Sequence, residues 1–260
     1  MKKIILALAA LYLTMGCVSC KQNKKLEEVT NLLAINFVKM GKYQPNGPGF
    51  SPDTMCYEGK DVLIRMAVDK DVSLVPNFSF DKWIKPYVIG SLFSNGVNTI
   101  VLGKSLDTKE GGSPEEDYFK LMEQSGAQFK VVVKTSKGDK TYTISPSEAT
   151  RFMKMSHEEH NLCAASGVFI AQIHEFKTNG VVKNVKIEGN VCCIDLIIDE
   201  EKFVSKLETM PAILGYVILN NLELKINNTV IPKEEVKKKW DEAKVSMSIT
   251  PQEEKGNNMA

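Results

Sequence analysis

Two histidines near the middle of the chain are the first candidates for metal chemistry. They begin and end the run His157-Glu158-Glu159-His160. A zinc-protease helix needs histidines four positions apart, with a glutamate beside the first, so that all three side chains share one face. The histidines here are three apart, so the motif fails. His157 and His160 remain alternative metal ligands, and such a site would be completed by Glu159, Cys163 or His174.

A simpler interpretation of the same run is the start of a helix. Ser156 followed three positions later by Glu159 has the pattern of a capping box. Acidic residues in the first turn also suit the positive end of the helix dipole. We therefore expect a helix N-terminus here, with no metal and no cofactor.

Other catalytic patterns are incomplete. Gly103-Lys104-Ser105 has the ending of a phosphate-binding loop, but Asn98 stands where that loop needs a glycine. No Gly-x-Ser-x-Gly run occurs. Acidic residues recur at equivalent places in the two halves described below, which favours turn and strand-end roles: Glu58, Asp69, Glu188 and Asp199. We assign no catalytic residue.

The chain carries an internal repeat. With a shift of 130 positions, residues 30–40 lie over 160–170 and residues 57–69 lie over 187–199, without a gap. Nine of the 44 pairs that begin at Leu26 are identical. Identity alone is weak, but the apolar alternation of residues 62–68 also keeps its phase over residues 192–198. On the opposite face Arg65 lies over Asp195, and we take these two residues as candidate binding residues.

A third match completes the repeat. Residues 144–153 resemble 230–240 at an offset of about 86, with Pro146 over Pro232. The second copy would then lack some 44 residues, which correspond to roughly 96–130.

Four cysteines beyond the N-terminal segment are explained best as core residues. Cys163, Cys192 and Cys193 each replace an apolar residue of the first copy, and buried free cysteine behaves as a small hydrophobic residue. Cys56 is the fourth. Packing is therefore expected here, rather than a disulfide or a metal.

These patterns predict an α+β fold with two tandem units, each with a helix, a four-stranded mostly antiparallel sheet and further helices. We expect a signal peptide at 1–20, the first unit at 21–155, a shortened second unit at 156–249 and a disordered tail at 250–260. The outline is loosely similar to the tandem sheet-and-helix fold of secreted β-lactamase-inhibitor proteins.

The elements follow from local signals. Helices are expected at 25–40, 80–94, 114–125, 146–154, 157–174, 201–219 and 232–243. Strands are expected at 53–58, 61–69, 128–135, 140–145, 182–188, 191–199, 221–226 and 228–231.

The N-terminal segment has the features of an export signal. Lys2 and Lys3 precede an apolar run from Ile4 to Gly16, which is too short to span a bilayer. Small residues and two cysteines follow this run. The segment resembles a bacterial lipoprotein signal, which implies export and a lipid anchor on Cys20, or alternatively on Cys17. The protein would then be held in the bacterial envelope, at an outer membrane, and face the periplasm or the cell surface.

Charge and composition restrict the partners. Lys and Arg total 33 and Asp and Glu total 32, so the basic excess of a nucleic-acid-binding protein is missing. We expect a non-catalytic module that binds an envelope protein or glycan, with the bilayer as a second partner. Trp83, Tyr87, Phe93 and Tyr216 are candidate exposed aromatics, although their spacing also suits a core. The alternative is an enzyme or a small-ligand or glycan carrier, with its site in a cleft between the repeats.

Overall fold

A computed structural model describes residues 21–39, 50–68, 72–93, 96–135 and 137–248. Contacts divide these residues into two compact units. The first unit holds the described residues before position 70 together with Ile84–His160. The second holds those from 72 to Trp83 together with the described residues from Asn161 onward. The segment that ends at Trp83 therefore packs with the second unit, although it precedes most of the first in the chain.

The first unit is built on a sheet in the order β1-β2-β3-β4. Its strands are β1 (Phe50–Glu58), β2 (Asp61–Val68), β3 (Gln128–Val133) and β4 (Lys140–Ile144). The outer pairs are antiparallel, but β2 and β3 are parallel. The expectation of a mostly antiparallel sheet therefore holds for two of three pairings. Because parallel neighbours need a long crossover, helices separate β2 from β3 along the chain.

The second sheet repeats this arrangement. It runs β5 (Val182–Glu188), β6 (Val191–Leu196), β7 (Glu223–Ile226) and β8 (Thr229–Ile231), again with a parallel central pair. Both first strands also carry a register shift at the same point, between Pro52 and Thr54 and between Val182 and Asn184. These positions differ by the 130 residues that the sequence match predicts. The repeat therefore includes the local register shift of the first strand, which the strand propensities of the residues do not specify.

The strand registers correct the third match by one position. Ile144 pairs with Phe129 while Ile231 pairs with Leu224, and both isoleucines are buried. The offset is therefore 87, so Pro146 corresponds to Lys233 rather than to Pro232. Pairing of the buried faces determines the register here, whereas the two prolines match only in sequence.

The registers also divide the residues missing from the second unit between two places, where the sequence match predicted one segment at roughly 96–130. Ile64 and its partner Val131 are 67 positions apart, whereas Ile194 and Ile226 are 32 apart. The shortening of 35 residues thus lies between the second and third strands and reduces the crossover helices. A second shortening of 8 residues lies in the last hairpin, where partners are 11 positions apart in the first unit and 3 in the second.

Helices of the first unit cover one face of its sheet. They comprise helical residues 21–39 (α1), Ile84–Phe93 (α2), Gly96–Leu106 (α3), Pro114–Gln124 (α4) and Pro146–Met153 (α5). The predicted N-caps Ser113 and Ser145 accept hydrogen bonds from the backbone of Glu116 and Glu148. Helix α3 was not expected, because Val97 and Ile100 face solvent while Asn98 is buried, which inverts the usual pattern.

The remaining helices are α6 (His157–Thr178), α7 (Glu200–Val204), α8 (Pro211–Leu219) and α9 (Lys233–Ser248). The single helix expected at 201–219 is broken into α7, a short 3₁₀ turn and α8, because Pro211 can begin a helix but cannot continue one. A Cβ atom on Gly215 would lie 2.6 Å from that of Ala165, so glycine permits the close packing of α8 on α6.

Stacked aromatic rings fill the core of the second unit. Phe78 stacks on Tyr216 at 4.9 Å and on Phe169 at 5.8 Å between ring centroids. The backbone of the same segment reaches the edge strand β5, where Ile187 donates to the Pro76 carbonyl at 3.1 Å. The segment thereby fills the core and also covers part of a sheet edge, which would otherwise offer unpaired backbone groups.

Candidate functional site

The outer face of the first sheet carries an ordered grid of side chains. One cross-strand row is Thr54, Arg65, Val132 and Thr141, and the next is Cys56, Leu63, Lys130 and Thr143. Side chains in one row point to the same face. The parallel pairing of β2 and β3 therefore puts Arg65 and Lys130 on diagonal positions of the same face.

A shallow depression of about 410 Å³ lies on this face. Leu63 and Val132, which are 6% and 7% exposed, form its apolar floor. Arg65 and Lys130 are half-buried beside that floor. Neither cation has an ion pair or hydrogen bond with any residue that the structure describes.

Acidic side chains lie at the other end of the depression. Glu58 and Asp61 form the third row, whereas Asp139, from the β3–β4 hairpin, lies beyond Thr141 at the Arg65 end. Asp61 lies four residues from Arg65 along β2, which is about 13 Å at the strand rise. The depression thus carries two cations with apolar neighbours in its first two rows and two carboxylates in its third row.

This arrangement suits binding of an anion more than chemistry on one. A guanidinium presents a planar fork of donors that matches a carboxylate, and hydrogen bonds to charged groups are the stronger ones. Histidine is absent from the residues that line the depression, so it holds no pair typical of a base-activated nucleophile. The geometry gives a polar face with two cationic side chains that no described carboxylate joins.

The equivalent face of the second sheet holds charged side chains of both signs close together. Lys186 forms an ion pair of 2.8 Å with Glu188. The hydrogen bond from Lys186 lowers the pKa of Glu188, and the charge of Lys225 acts in the same direction. The pKa of Lys186 is raised, mainly by Glu188 and to a smaller extent by Asp195. Asp195 is therefore part of a compensated cluster, whereas Arg65 is not.

A second depression, of about 320 Å³, lies between α4 and α5. Lys154 and Glu116 both line it and form an ion pair of 3.1 Å. Because its charges already satisfy each other, this depression is the weaker candidate for a charged ligand.

The histidine run begins α6, as the capping interpretation predicts. The backbone N–H of Ser156 donates to the Glu159 carboxylate at 2.9 Å, and the Glu159 N–H donates to the Ser156 hydroxyl at 3.3 Å. His157 is exposed, and the His160 ring lies over Gly90 of α2. Among the described residues no three His, Cys, Asp or Glu side chains are grouped closely enough to hold a metal ion.

Several other candidates prove to be structural. Gly103-Lys104-Ser105 lies inside α3, so its backbone N–H groups are part of a helix. Trp83, Phe93 and Tyr216 are buried and Tyr87 is partly buried, so the core interpretation of these aromatics is the correct one. Asp199 is the N-cap of α7 and accepts from the Lys202 backbone at 2.8 Å.

The four described cysteines are free thiols. Cys163 and Cys192 lie in the core, and burial raises the pKa of Cys192 to about 12. Cys193 is 8% exposed on the outer face of the second sheet, and Cys56 is half-buried on that of the first. Cys17 and Cys20, the candidate lipidation residues, lie outside the described residues.

No family model, no curated protein and no solved structure matches the chain. The similarity in outline to the β-lactamase-inhibitor proteins therefore gains no support, and function must be argued from the site itself. Of the described helices, none has both the length and the apolar composition that crossing a bilayer requires.

Sequence reasoning found Arg65 but missed Lys130, Leu63 and Val132. A signal for Lys130 exists, since Phe129 and Val131 alternate with it and place it on the outer face of β3. That β3 lies parallel and next to β2 has no local signature, because the helices between them separate the two strands along the chain.

Proposed function

We propose that this protein is an exported bacterial lipoprotein, anchored through Cys20 or alternatively Cys17, and that it works as a non-catalytic binding module. Its partner is an envelope or extracellular protein that presents an acidic segment to the outer face of the first sheet. The observation that carries the proposal is the pair Arg65 and Lys130, half-buried beside an apolar floor and joined to no described carboxylate. The export part rests on the N-terminal pattern alone.

Charge and shape both favour an extended acidic segment. A carboxylate beside Arg65 and Lys130 would gain two charged donors, and an apolar side chain on the same side of the segment would cover Leu63 and Val132. A basic group further along would meet Glu58 and Asp61. An extended chain advances about 3.3 Å per residue, so about four residues span the distance from Arg65 to Asp61.

A direct test uses the full chain, produced with its own N-terminal segment in a bacterial host and purified from membranes in detergent. The probe is a labelled synthetic peptide of alternating aspartate and valine, and its neutral twin has asparagine for each aspartate. Fluorescence anisotropy gives the dissociation constants. We expect the acidic peptide to bind saturably, and Arg65→Gln or Lys130→Gln to weaken binding about ten-fold or more.

The matched control is Lys225→Gln, because Lys225 takes the place of Lys130 on the second sheet. It should leave the dissociation constant unchanged. Equal binding of the neutral peptide, or full affinity in Arg65→Gln, would rule out the acidic-segment proposal. Retention on an uncharged chito-oligosaccharide resin, unaffected by Arg65→Gln, would favour the glycan-carrier alternative instead.

The anchor is tested separately by intact mass. The membrane-purified protein should carry a lipid mass on its first residue, and Cys20→Ser should abolish it while Cys17→Ser leaves it in place. The reverse pattern would assign the anchor to Cys17. A protein that keeps residues 1–19 and carries no lipid would overturn the lipoprotein assignment.

A further inference from the structure

The outward side of α1 carries an apolar pair that the fold does not use. Leu32 is 44% exposed and Ile35 is 52% exposed. Residues three apart on a helix are neighbours on its surface, so the two side chains form one patch. The opposite side of α1 is buried in the core, where Leu26, Val29 and Leu33 are at most 1% exposed.

The exposed charged side chains of α1 have a net positive balance, with three of the four lysines in its first five residues. The exposed charged residues of α1 are Lys21, Lys24, Lys25, Glu27, Glu28 and Lys39. Four lysines against two glutamates leave two positive charges on this side of the helix. An amphipathic helix with apolar side chains among lysines is the pattern that suits an anionic membrane surface.

The distance between the anchor and the folded core is short. Helical residues are described from Lys21 onward, directly after Cys20, and Leu26 already lies in the core with no exposed surface. Gln22 also contacts Gln124 at the end of α4, at 3.2 Å. Six residues of helix advance about 9 Å, so the folded core begins close to the anchor. A lipid on Cys20 would therefore hold the first unit close to the bilayer surface.

From the exposed patch, the lysines and this short reach, we propose that α1 docks on the surface of an anionic bilayer, with Leu32 and Ile35 turned toward the lipid. The inference rests on the lipid anchor of the proposed function. It adds which side of the first unit faces the membrane.

This orientation has a consequence for the binding face. The Thr30 hydroxyl meets the Tyr118 hydroxyl at 2.8 Å, and the Tyr118 ring is 6.3 Å from that of Phe129 on the inner face of the sheet. Helix α1 therefore lies on the inner side of the first sheet. With α1 on the bilayer, the depression at Arg65 faces away from the membrane and is open to a partner.

The test uses the lipidated full chain in vesicles of phosphatidylcholine and phosphatidylglycerol in equal parts, with brominated acyl chains as quencher. Ile35→Trp should show a blue-shifted emission and lose intensity. Thr143→Trp, an exposed position on the outer face of the first sheet, is the matched control and should be unaffected. The native tryptophans contribute a constant background, because Trp83 and Trp240 are buried at 0% and 1% exposure.

Charge gives a second measurement. Each lysine near an anionic surface strengthens attachment about five-fold, so quenching of Ile35→Trp should be weaker in Lys24→Gln/Lys25→Gln and in vesicles of phosphatidylcholine alone. An unquenched Ile35→Trp in a sample whose intact mass shows the lipid would overturn the docking of α1 and leave the anchor standing. A sample that lacks the lipid mass would remove the anchor and the docking together.

Discussion

The two sheets have the same strand register, but their outer faces differ in how the cationic side chains are paired. On the second sheet Lys186 and Glu188 pair at 2.8 Å, with Lys225 and Asp195 close enough to influence them. On the first sheet Arg65 and Lys130 have no such partner among the described residues. The comparison shows that a repeated scaffold can keep its strand register while equivalent outer faces differ in which of their described cations are paired.

The two interiors differ as well. The first unit buries a polar pair, Thr30 with Tyr118. Leu224 lies 95 positions after Phe129, whose place it takes in the register, and the same offset puts the apolar Ile213 of α8 in the place of Tyr118. The second unit depends on aromatic stacking by Phe78, which comes from a segment that lies between β2 and α2 in the chain.

The largest expected effect is on the second core. Phe78→Ala should lower the free energy of unfolding by about 3–5 kcal/mol, because it removes a ring stacked against two others and leaves a cavity. Both tryptophans of the chain belong to the second unit, so tryptophan fluorescence during denaturation in urea reports this loss. Phe93→Ala in the first unit is the control and should affect circular dichroism more than fluorescence. A fluorescence midpoint that does not move in Phe78→Ala would contradict the role given to the segment.

A smaller loss of stability is expected when the buried hydrogen bond between Thr30 and Tyr118 is removed from the first unit. Tyr118→Phe leaves the buried Thr30 hydroxyl without its partner and should cost about 1–3 kcal/mol. Adding Thr30→Val should recover most of that loss, since both polar groups are then gone. Hydrogen exchange of α1 and α4 amides measures both variants. A double variant less stable than Tyr118→Phe would show that packing, rather than the hydrogen bond, sets the cost.

The smallest effect concerns the outer faces. In Lys186→Gln the pKa of Glu188 should rise toward its ordinary value of 4.5, because its main hydrogen-bond donor is lost. A carboxyl whose pKa is lowered by folding stabilises the folded state at pH values above 4.5. This contribution is lost as the pH falls through the lowered pKa of the folded state. NMR titration of the Glu188 side chain measures the change. Arg65→Gln, which breaks no ion pair among described residues, should change the unfolding free energy by less than about 0.5 kcal/mol.

Local chemistry made much of the fold predictable. Strand β5 occupies the expected residues 182–188, and Ser145 and Ser156 cap their helices through the glutamates three positions later. Cysteines that replaced apolar residues were correctly interpreted as core at positions 163 and 192. These features depend on residues close together in the chain or on the alternation of apolar and polar residues along a strand, and a single sequence shows both.

The site was less predictable. Alternation along β2 placed Arg65 on the outer face, but no local pattern indicates which strand lies next to β2. The depression exists because β3 pairs in parallel with β2 and brings Lys130 and Val132 beside Arg65 and Leu63.

The sequence by itself determined the α+β class, the repeat, most strands and the helix caps, because each depends on residues that are close in the chain or on a matched period. Only the tertiary structure decided the parallel central pairs and the packing of residues 72–83 in the second unit. It also decided that Arg65 and Lys130 lie side by side without an ion pair to any described residue. These features depend on contacts between residues far apart in the chain, where the burial of apolar surface, rather than local preference, selects the partner.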